Sequence, residues 1–381
     1  MELPPLSLYV HLPWCVRKCP YCDFNSHAVK EKMPADDYVA ALLKDLEQEL
    51  PLVWGRLVHS IFFGGGTPSL FSASQISTLI GGIRSLLRVS PEAEITLEAN
   101  PGTTEHDSFV AYREAGINRV SLGVQSFNDD RLSDIGRIHG RAEVEQAVMA
   151  IHRSGIRNFN IDLMFGLPGQ SLRQALNDIR DAIDCEPAHI SHYQLTIEPN
   201  TGFHAKPPAL PDEDTGWKMQ QEGGEVLSLA GYVQYEISAW AQPDRQCRHN
   251  LNYWRYGDFV GIGAGAHGKI TLPSEQSIRR RIRQRHPVSW MNGVRDGGGV
   301  AQDRELDSGE RVFEFFLNQL RLRDGVMKSQ FEPRAGVAWS EVADRVKVAI
   351  EKGLLKDENG LLSPTELGWR FSNETQAIFL P

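Results

Sequence analysis

The chain has 381 residues, 41% hydrophobic and 23% charged, a balance that suits one large α/β domain with a smaller companion. Its 40 basic and 49 acidic residues leave a formal charge of −9, which argues against broad nucleic-acid binding. The start, MELPPLSLYV, has neither a basic n-region nor a long apolar h-region, and no stretch approaches about eighteen uncharged apolar residues, so the expectation is a soluble cytoplasmic protein without a disulfide framework for its five cysteines.

In chain order a strand-then-helix rhythm emerges. LSLYVHL alternates and ends near Cys15, and PADDYVAALLKDLEQEL spaces Tyr38, Leu42, Leu46 and Leu50 as a helix does. VHSIFF runs into Gly64, Gly65 and Gly66, and SASQISTLIGGIRSLL follows as a helix with a serine N-cap signal. AEITLEANP is a third strand, followed by a helix over roughly TEHDSFVAYREAG that closes on Gly116. INRVSLGVQS is a fourth strand and RAEVEQAVMAIHRSG its return helix. IRNFNIDLMFGLPG and HISHYQLTIEP supply strands five and six around the helix SLRQALNDIRDAI. Repeated β/α units imply parallel strands with helical crossovers, hence an α/β fold built as an incomplete TIM-like (β/α)6 barrel over residues 1–235. Residues 236–300 read as an irregular aromatic extension and linker, with SIRRRIRQRHP as an exposed segment. Residues 301–381 read as helix, turn, short hairpin and final helix, a small winged-helix-like domain.

CVRKCPYCDF packs Cys15, Cys19 and Cys22 into eight positions. A cubane iron–sulfur cluster takes four ligands, so three thiolates on one loop leave one iron open to a group outside the protein. A Cys3His zinc site with His11 or His27 is the weaker reading, since structural zinc sites close with a second ligand pair at its own spacing. Buried apolar cysteines would not gather on one loop beside Arg17 and Lys18.

In a barrel of this kind, chemistry sits on the loops that follow the strands. Glu98, Gln125 and Asp162 end strands three to five, and Gly64, Gly65, Gly66 and Thr67 follow strand two. The glycines let backbone approach a charged amino-acid moiety, Glu98 and Asp162 can accept from hydroxyls or an ammonium, and Arg137 can pair with a carboxylate. Taken singly, the charged residues would more often be solvated strand ends or surface ion pairs, and the glycines a tight strand-to-helix turn. GAGAHG at 263–268 matches a dinucleotide fingerprint only formally, because no helix pattern follows it.

C-x3-C-x2-C after the first strand of a β/α barrel resembles the radical S-adenosylmethionine (SAM) superfamily, in which SAM is the fourth ligand. SLYVHLPWC, FFGGGTPS, EANPG, GVQSF, GRIH and NIDLMFGLPGQ together resemble the branch that contains the coproporphyrinogen III dehydrogenase HemN and the haem chaperone HemW. The likeness implies a 4Fe-4S cluster on Cys15, Cys19 and Cys22. It implies SAM contacts from Tyr9, Gly65, Gly66, Thr67, Glu98, Gln125, Arg137 and Asp162, with the Tyr21 ring beside the adenine. It also implies a HemN-type C-terminal domain over 301–381. The dehydrogenase pattern continues to a further cysteine where this chain has Phe24, and it carries a longer segment ahead of the cluster than the fourteen residues here.

RHNLNYW resembles the H-N-x-x-Y-W motif of the haem-binding group, which implies haem at His249, Tyr253 and Trp254; an imidazole offers an axial ligand and the aromatics offer flat faces. Cys247 is a rival ligand, and IRRRIRQR is either a solvated segment or a partner for propionates or an anionic membrane. The implied function is haem delivery to apoproteins, membrane respiratory enzymes among them, with radical oxidation of coproporphyrinogen III or a related substrate as the alternative. Peripheral membrane contact and a homodimer stay open.

Overall fold

The computed structural model describes residues 1–29, 33–102 and 108–381. Strand β1 (Leu6–Leu12) is buried along its length except for a partly exposed Tyr9, as expected of a strand covered on both faces. Beyond it, β2 (Trp14–Cys15) and β3 (His27–Ala28) pair briefly and brace the cysteine loop between them. The β/α series then runs through α1 (Ala35–Val53), β4 (Leu57–Gly65), α2 (Ala73–Leu86), β5 (Arg88–Ala99), α3 (Phe109–Glu114) and β6 (Arg119–Gln125). It continues with α4 (Asp129–Asp134), α5 (Arg141–Ser154), β7 (Asn158–Phe165), α6 (Leu172–Asp184) and β8 (His189–Gln194). Strands β1, β4, β5, β6, β7 and β8 pair in that order, all parallel, which is the open six-stranded arc expected of the incomplete barrel.

Local signals explain the helix starts. Ser72 caps α2 and Ser171 caps α6 in reciprocal capping boxes with Gln75 and Gln174. The expected third helix begins at Phe109 behind an Ser108 cap; its first part, at 104–107, lies outside the described residues.

The sheet does not stop at residue 235. After the short α7 (Gly202–Ala205) and α8 (Glu213–Leu229), strands β9 (Val233–Glu236) and β10 (Ala239–Ala241) form an antiparallel edge on β8. Helix α9 (Arg248–Trp254) leads to β11 (Asp258–Ile262), which pairs parallel with the far side of β1, Leu6 opposite Asp258. Antiparallel β12 (His267–Leu272), β13 (Ser277–Arg283) and β14 (Val300–Glu305) complete a twelve-stranded sheet in the order β14-β13-β12-β11-β1-β4-β5-β6-β7-β8-β10-β9.

The reading of 236–300 as irregular, with a solvated arginine segment, is therefore corrected. Arg283 is fully buried: its Nε donates to both oxygens of Asp45 (2.9 and 3.1 Å) and its Nη2 to Glu49 (2.6 Å), both on α1. Arg281 reaches Glu49 and Asp303, and Arg280 grips Glu314 at 2.7 Å. A run of arginines hides a strand from periodicity because its partners lie on other elements, and their charge is neutralised where no local pattern reveals it.

After α10 (Pro287–Arg295), a separate core gathers around α11 (Ser308–Gln319), with Phe316 and Phe379 stacked at 3.8 Å between ring centroids. Its three-stranded sheet holds β15 (Val326–Met327), β17 (Leu361–Pro364) and β16 (Leu355–Glu358) in that order. The β16–β17 turn is Asn359–Gly360, both at positive φ (55° and 87°), the backbone a tight two-residue hairpin requires.

Arg283→Ala should destabilise the whole chain by about 3–5 kcal/mol, because it leaves Asp45 buried without its cation and Glu49 with Arg281 alone. Urea denaturation followed by far-UV circular dichroism checks this; an unshifted midpoint would show that the network does not hold the ribbon to α1.

Candidate functional site

The C-terminal ends of the parallel strands open into a cavity of about 290 Å³ lined by the three cysteines, Tyr21, Gly65, Gly66, Thr67, Glu98, Gln125, Arg137 and Asp162. Eleven of the twelve residues expected to hold cluster and SAM share this wall, since the strand ends and the cysteine loop face one mouth. Tyr9 is the exception. It lines a neighbouring cavity, its hydroxyl 3.0 Å from His11 Nδ1.

The glycine loop is shaped by its neighbours. Gly65 has φ +117°, and a Cβ there would sit 2.5 Å from the His11 ring; one on Gly66 would sit 2.5 Å from the Trp14 carbonyl oxygen. The Gly66 and Thr67 N–H groups donate to the carbonyls of Leu12 and Trp14 (2.8 and 2.7 Å), which ties the loop after β4 to the chain entering the cysteine loop. Gln125 ends β6 at φ +72°, an unusual backbone for a side chain that size, and its Oε1 accepts from Tyr193 at 2.7 Å.

Arg137 reaches from behind the cysteines. Its Nη1 donates to Cys19 Sγ at 3.7 Å, while Nη2 donates to Asn100 Oδ1 and the Gly123 carbonyl. Its Nε is buried with no hydrogen-bond partner, a donor left over at the cavity. Burial raises the pKa of the Cys15 and Cys22 thiols, a cost that a metal binding them as thiolates offsets.

Opposite stand two carboxyl groups. Glu98 Oε2 accepts the Gly65 N–H at 3.0 Å, and its pKa is pushed up to about 8, first by burial and second by Asp162. Asp162 accepts from Asn160 (2.8 Å) and Ser121 (3.2 Å), and burial raises its pKa as well. Such a pair is costly alone and favours a ligand that brings cationic charge or hydroxyl donors.

These donors suit a cluster better than a single ion. Among the described residues no group of three or more His, Cys, Asp or Glu side chains is gathered to hold one metal ion. A cubane asks less convergence, because each thiolate takes its own iron. The zinc reading loses its fourth ligand: neither His11 nor His27 lines this cavity, and His11 spends both ring nitrogens on the Tyr9 hydroxyl and the Asn25 carbonyl.

The second cavity, about 770 Å³, shares Asp23, Phe24, Gly65 and Glu98 with the first. Tyr253 and Trp254 face it from α9, as the haem motif implied, but His249 does not. That imidazole is buried, with Nδ1 3.0 Å from Ser60 Oγ and Nε2 2.8 Å from the Tyr253 hydroxyl, and burial lowers its pKa to about 3. In this arrangement it does not line the cavity, and both nitrogens already have partners. Cys247, the rival, is buried too, directed at Glu94 with its pKa raised to about 12. Phe259 and His267, which sequence reasoning missed, stand here with Arg280 and Arg285 of the IRRRIRQR run weighed as a partner for propionates; Phe259, His267 and Arg280 lie on neighbouring strands whose period the arginine run and glycine-rich GAGAHG conceal.

Fold and first cavity together define a radical SAM protein. Residues 9–182 match the Radical SAM superfamily and residues 306–371 the HemN C-terminal domain. The chain is 48% identical over its whole length to the heme chaperone HemW of Escherichia coli, covering 99% of it, and 32% identical to that of Bacillus subtilis, with 98% of this chain and 99% of that one covered. A bovine mitochondrial protein named radical S-adenosyl methionine domain-containing protein 1 is 35% identical over 93% of this chain and 83% of its own. The chain belongs to the HemW family. The solved E. coli coproporphyrinogen III oxidase HemN superposes at TM-score 0.83 and 23% identity, covering 99% of this chain and 90% of that one, a likeness of fold. No helix among the described residues is long and apolar enough to cross a membrane.

Glu98 carries a pH prediction. Its folded pKa near 8 lies above the ordinary 4.5, so the folded state binds the extra proton. Its contribution to stability is full below about 4.5 and is lost as pH rises through about 8. Glu98→Gln should flatten the fall in thermal stability of the ligand-free protein across that window; an unchanged slope would place the titration elsewhere.

Proposed function

We propose that this protein is a haem chaperone. It holds a 4Fe-4S cluster on Cys15, Cys19 and Cys22, binds SAM across Gly65–Thr67, Glu98, Gln125, Arg137 and Asp162, and carries haem for delivery to apoproteins, membrane respiratory enzymes among them, in the cytoplasm. The observation that carries this reading is the second cavity: aromatic walls from Tyr9, Phe24, Tyr253, Trp254 and Phe259, arginines at its edge, and a shared wall with the cysteine cavity. An apolar slot with a basic rim suits a flat, dianionic macrocycle, and full-length relatives named heme chaperones support the same conclusion.

The bound cluster and SAM supply one-electron chemistry. The chain's own groups prepare for them: Arg137 donates a hydrogen bond to Cys19 Sγ, the Gly65 backbone admits a ligand's polar end, and Glu98 and Asp162 gain when that ligand brings positive charge. Tyr21, packed 6.4 Å from Phe203 between ring centroids, provides an aromatic face on the same cavity.

The deciding experiment uses one anaerobic sample. Reconstitution should give about four irons and four sulfides per chain, with haem binding and no steady turnover of coproporphyrinogen III. Cys15→Ala should lose the cluster and keep haem binding, since the thiolates and the aromatic cavity are separable. Coproporphyrinogen oxidation without haem binding would replace the chaperone with the radical oxidoreductase.

A further inference from the structure

The second cavity has a floor of known construction. Phe259 on β11, Lys269 on β12 and Arg280 on β13 stand in one cross-strand row, and one step of the alternation away His267 stands opposite Ile282. Residues two apart on a strand share a face, so all five project from the same side, and all five line the cavity. Three neighbouring strands give a platform roughly 10 Å across, and Tyr253, Trp254, Tyr9 and Phe24 line the same cavity.

The nitrogen donors on this wall can be sorted one by one. His11 spends both ring nitrogens within the protein. Lys269 is buried, bonded to Asp258 at 2.9 Å and to the carbonyls of Tyr256 and Gly257. The Arg280 guanidinium holds Glu314 and lies over the Phe259 ring. His267 opens β12 and is exposed, and its imidazole makes no hydrogen bond among the described residues. Arg285 is exposed at the rim, and its guanidinium has no ion pair among the described residues.

We infer that His267 is the axial ligand of haem iron in this cavity, that Arg285 meets a propionate at its mouth, and that His249 is a positioning residue acting through Tyr253. This rests on the haem-carrier reading above. The chain from Ser60 through His249 to the Tyr253 hydroxyl fixes one wall from inside the sheet, so His249 can matter for haem without touching iron.

The test is a haem titration of the full chain, read in the Soret band and by electron paramagnetic resonance, in parallel with iron-free protoporphyrin. His267→Ala should remove the nitrogen-ligand signature and weaken haem by roughly tenfold or more, leave protoporphyrin affinity unchanged, and be restored spectroscopically by added imidazole. Arg285→Ala should weaken both macrocycles by roughly two- to fivefold, the scale of an exposed charge pair. His249→Ala should weaken both macrocycles while the residual haem complex keeps the wild-type ligand signature. A reconstituted cluster in each variant shows that it has folded. If wild-type protein binds haem and His267→Ala leaves spectrum and affinity untouched, the ligand assignment is overturned while the chaperone stands. If wild-type protein binds no haem, the chaperone reading itself falls and takes the assignment with it.

Discussion

Everything functional in this chain depends on the parallel pairing of β1 with two strands at once, β4 on one side and β11 on the other. A parallel neighbour needs a covering layer and a crossover, and β11 arrives nearly two hundred residues after β4 to supply the second one. That single pairing turns the end of an open barrel into a continuous sheet. It sets the antiparallel platform of β11, β12 and β13 immediately beside the mouth where the cysteines stand. Without it there would be one cavity at the strand ends and a loose C-terminal segment.

Charge holds the arrangement in place. Asp45 on α1 accepts from Arg283 and from the Gly263 N–H, so one carboxylate fixes both β13 and the turn after β11. A second buried carboxylate, Asp258, binds Lys269 at 2.9 Å, Arg56 at 2.7 Å and the Thr271 hydroxyl at 2.8 Å, where β11 enters the sheet. Buried ion pairs of this kind are weak evidence of net stability, because desolvation offsets attraction. Their consequence is register: each charge has one set of partners, and a slipped strand would bury it alone.

The cysteine loop, the strand ends and their convergence were legible because each rests on a local rule, thiolate spacing in one case and residues that end parallel strands in the other. The helix, short hairpin and final helix of the C-terminal region were legible for the same reason. The platform was not. Its strands alternate arginine with isoleucine or hide in glycine-rich GAGAHG, and the carboxylates that make Arg280 and Arg283 tolerable inside lie on α11 and α1, far away in sequence. His249 shows the other limit. Its motif marks the right region, and Tyr253 and Trp254 do face the cavity, but whether an imidazole points outward or back at a buried serine is decided by Ser60 on a different strand.

Phe24 gains a physical meaning in this light. It follows the last cluster cysteine by two positions, is 60% exposed, and lines both cavities. An exposed phenylalanine is unfavourable in water, and an apolar occupant on either side would cover it. Asn25 next to it donates to the carbonyls of Ala264 and Arg285, which pins this end of the cysteine loop to the chain that carries Arg285. The loop that ligates the cluster is thus also a wall of the second cavity and is anchored to that cavity's rim. Whatever factor one occupant of this loop's two sides adds to the affinity of the other, the other adds to the first, because linkage is reciprocal. The two cavities hold different chemistry, yet they share Asp23 and Phe24 of the cysteine loop together with Gly65 and Glu98, residues through which each can register whether the other is filled.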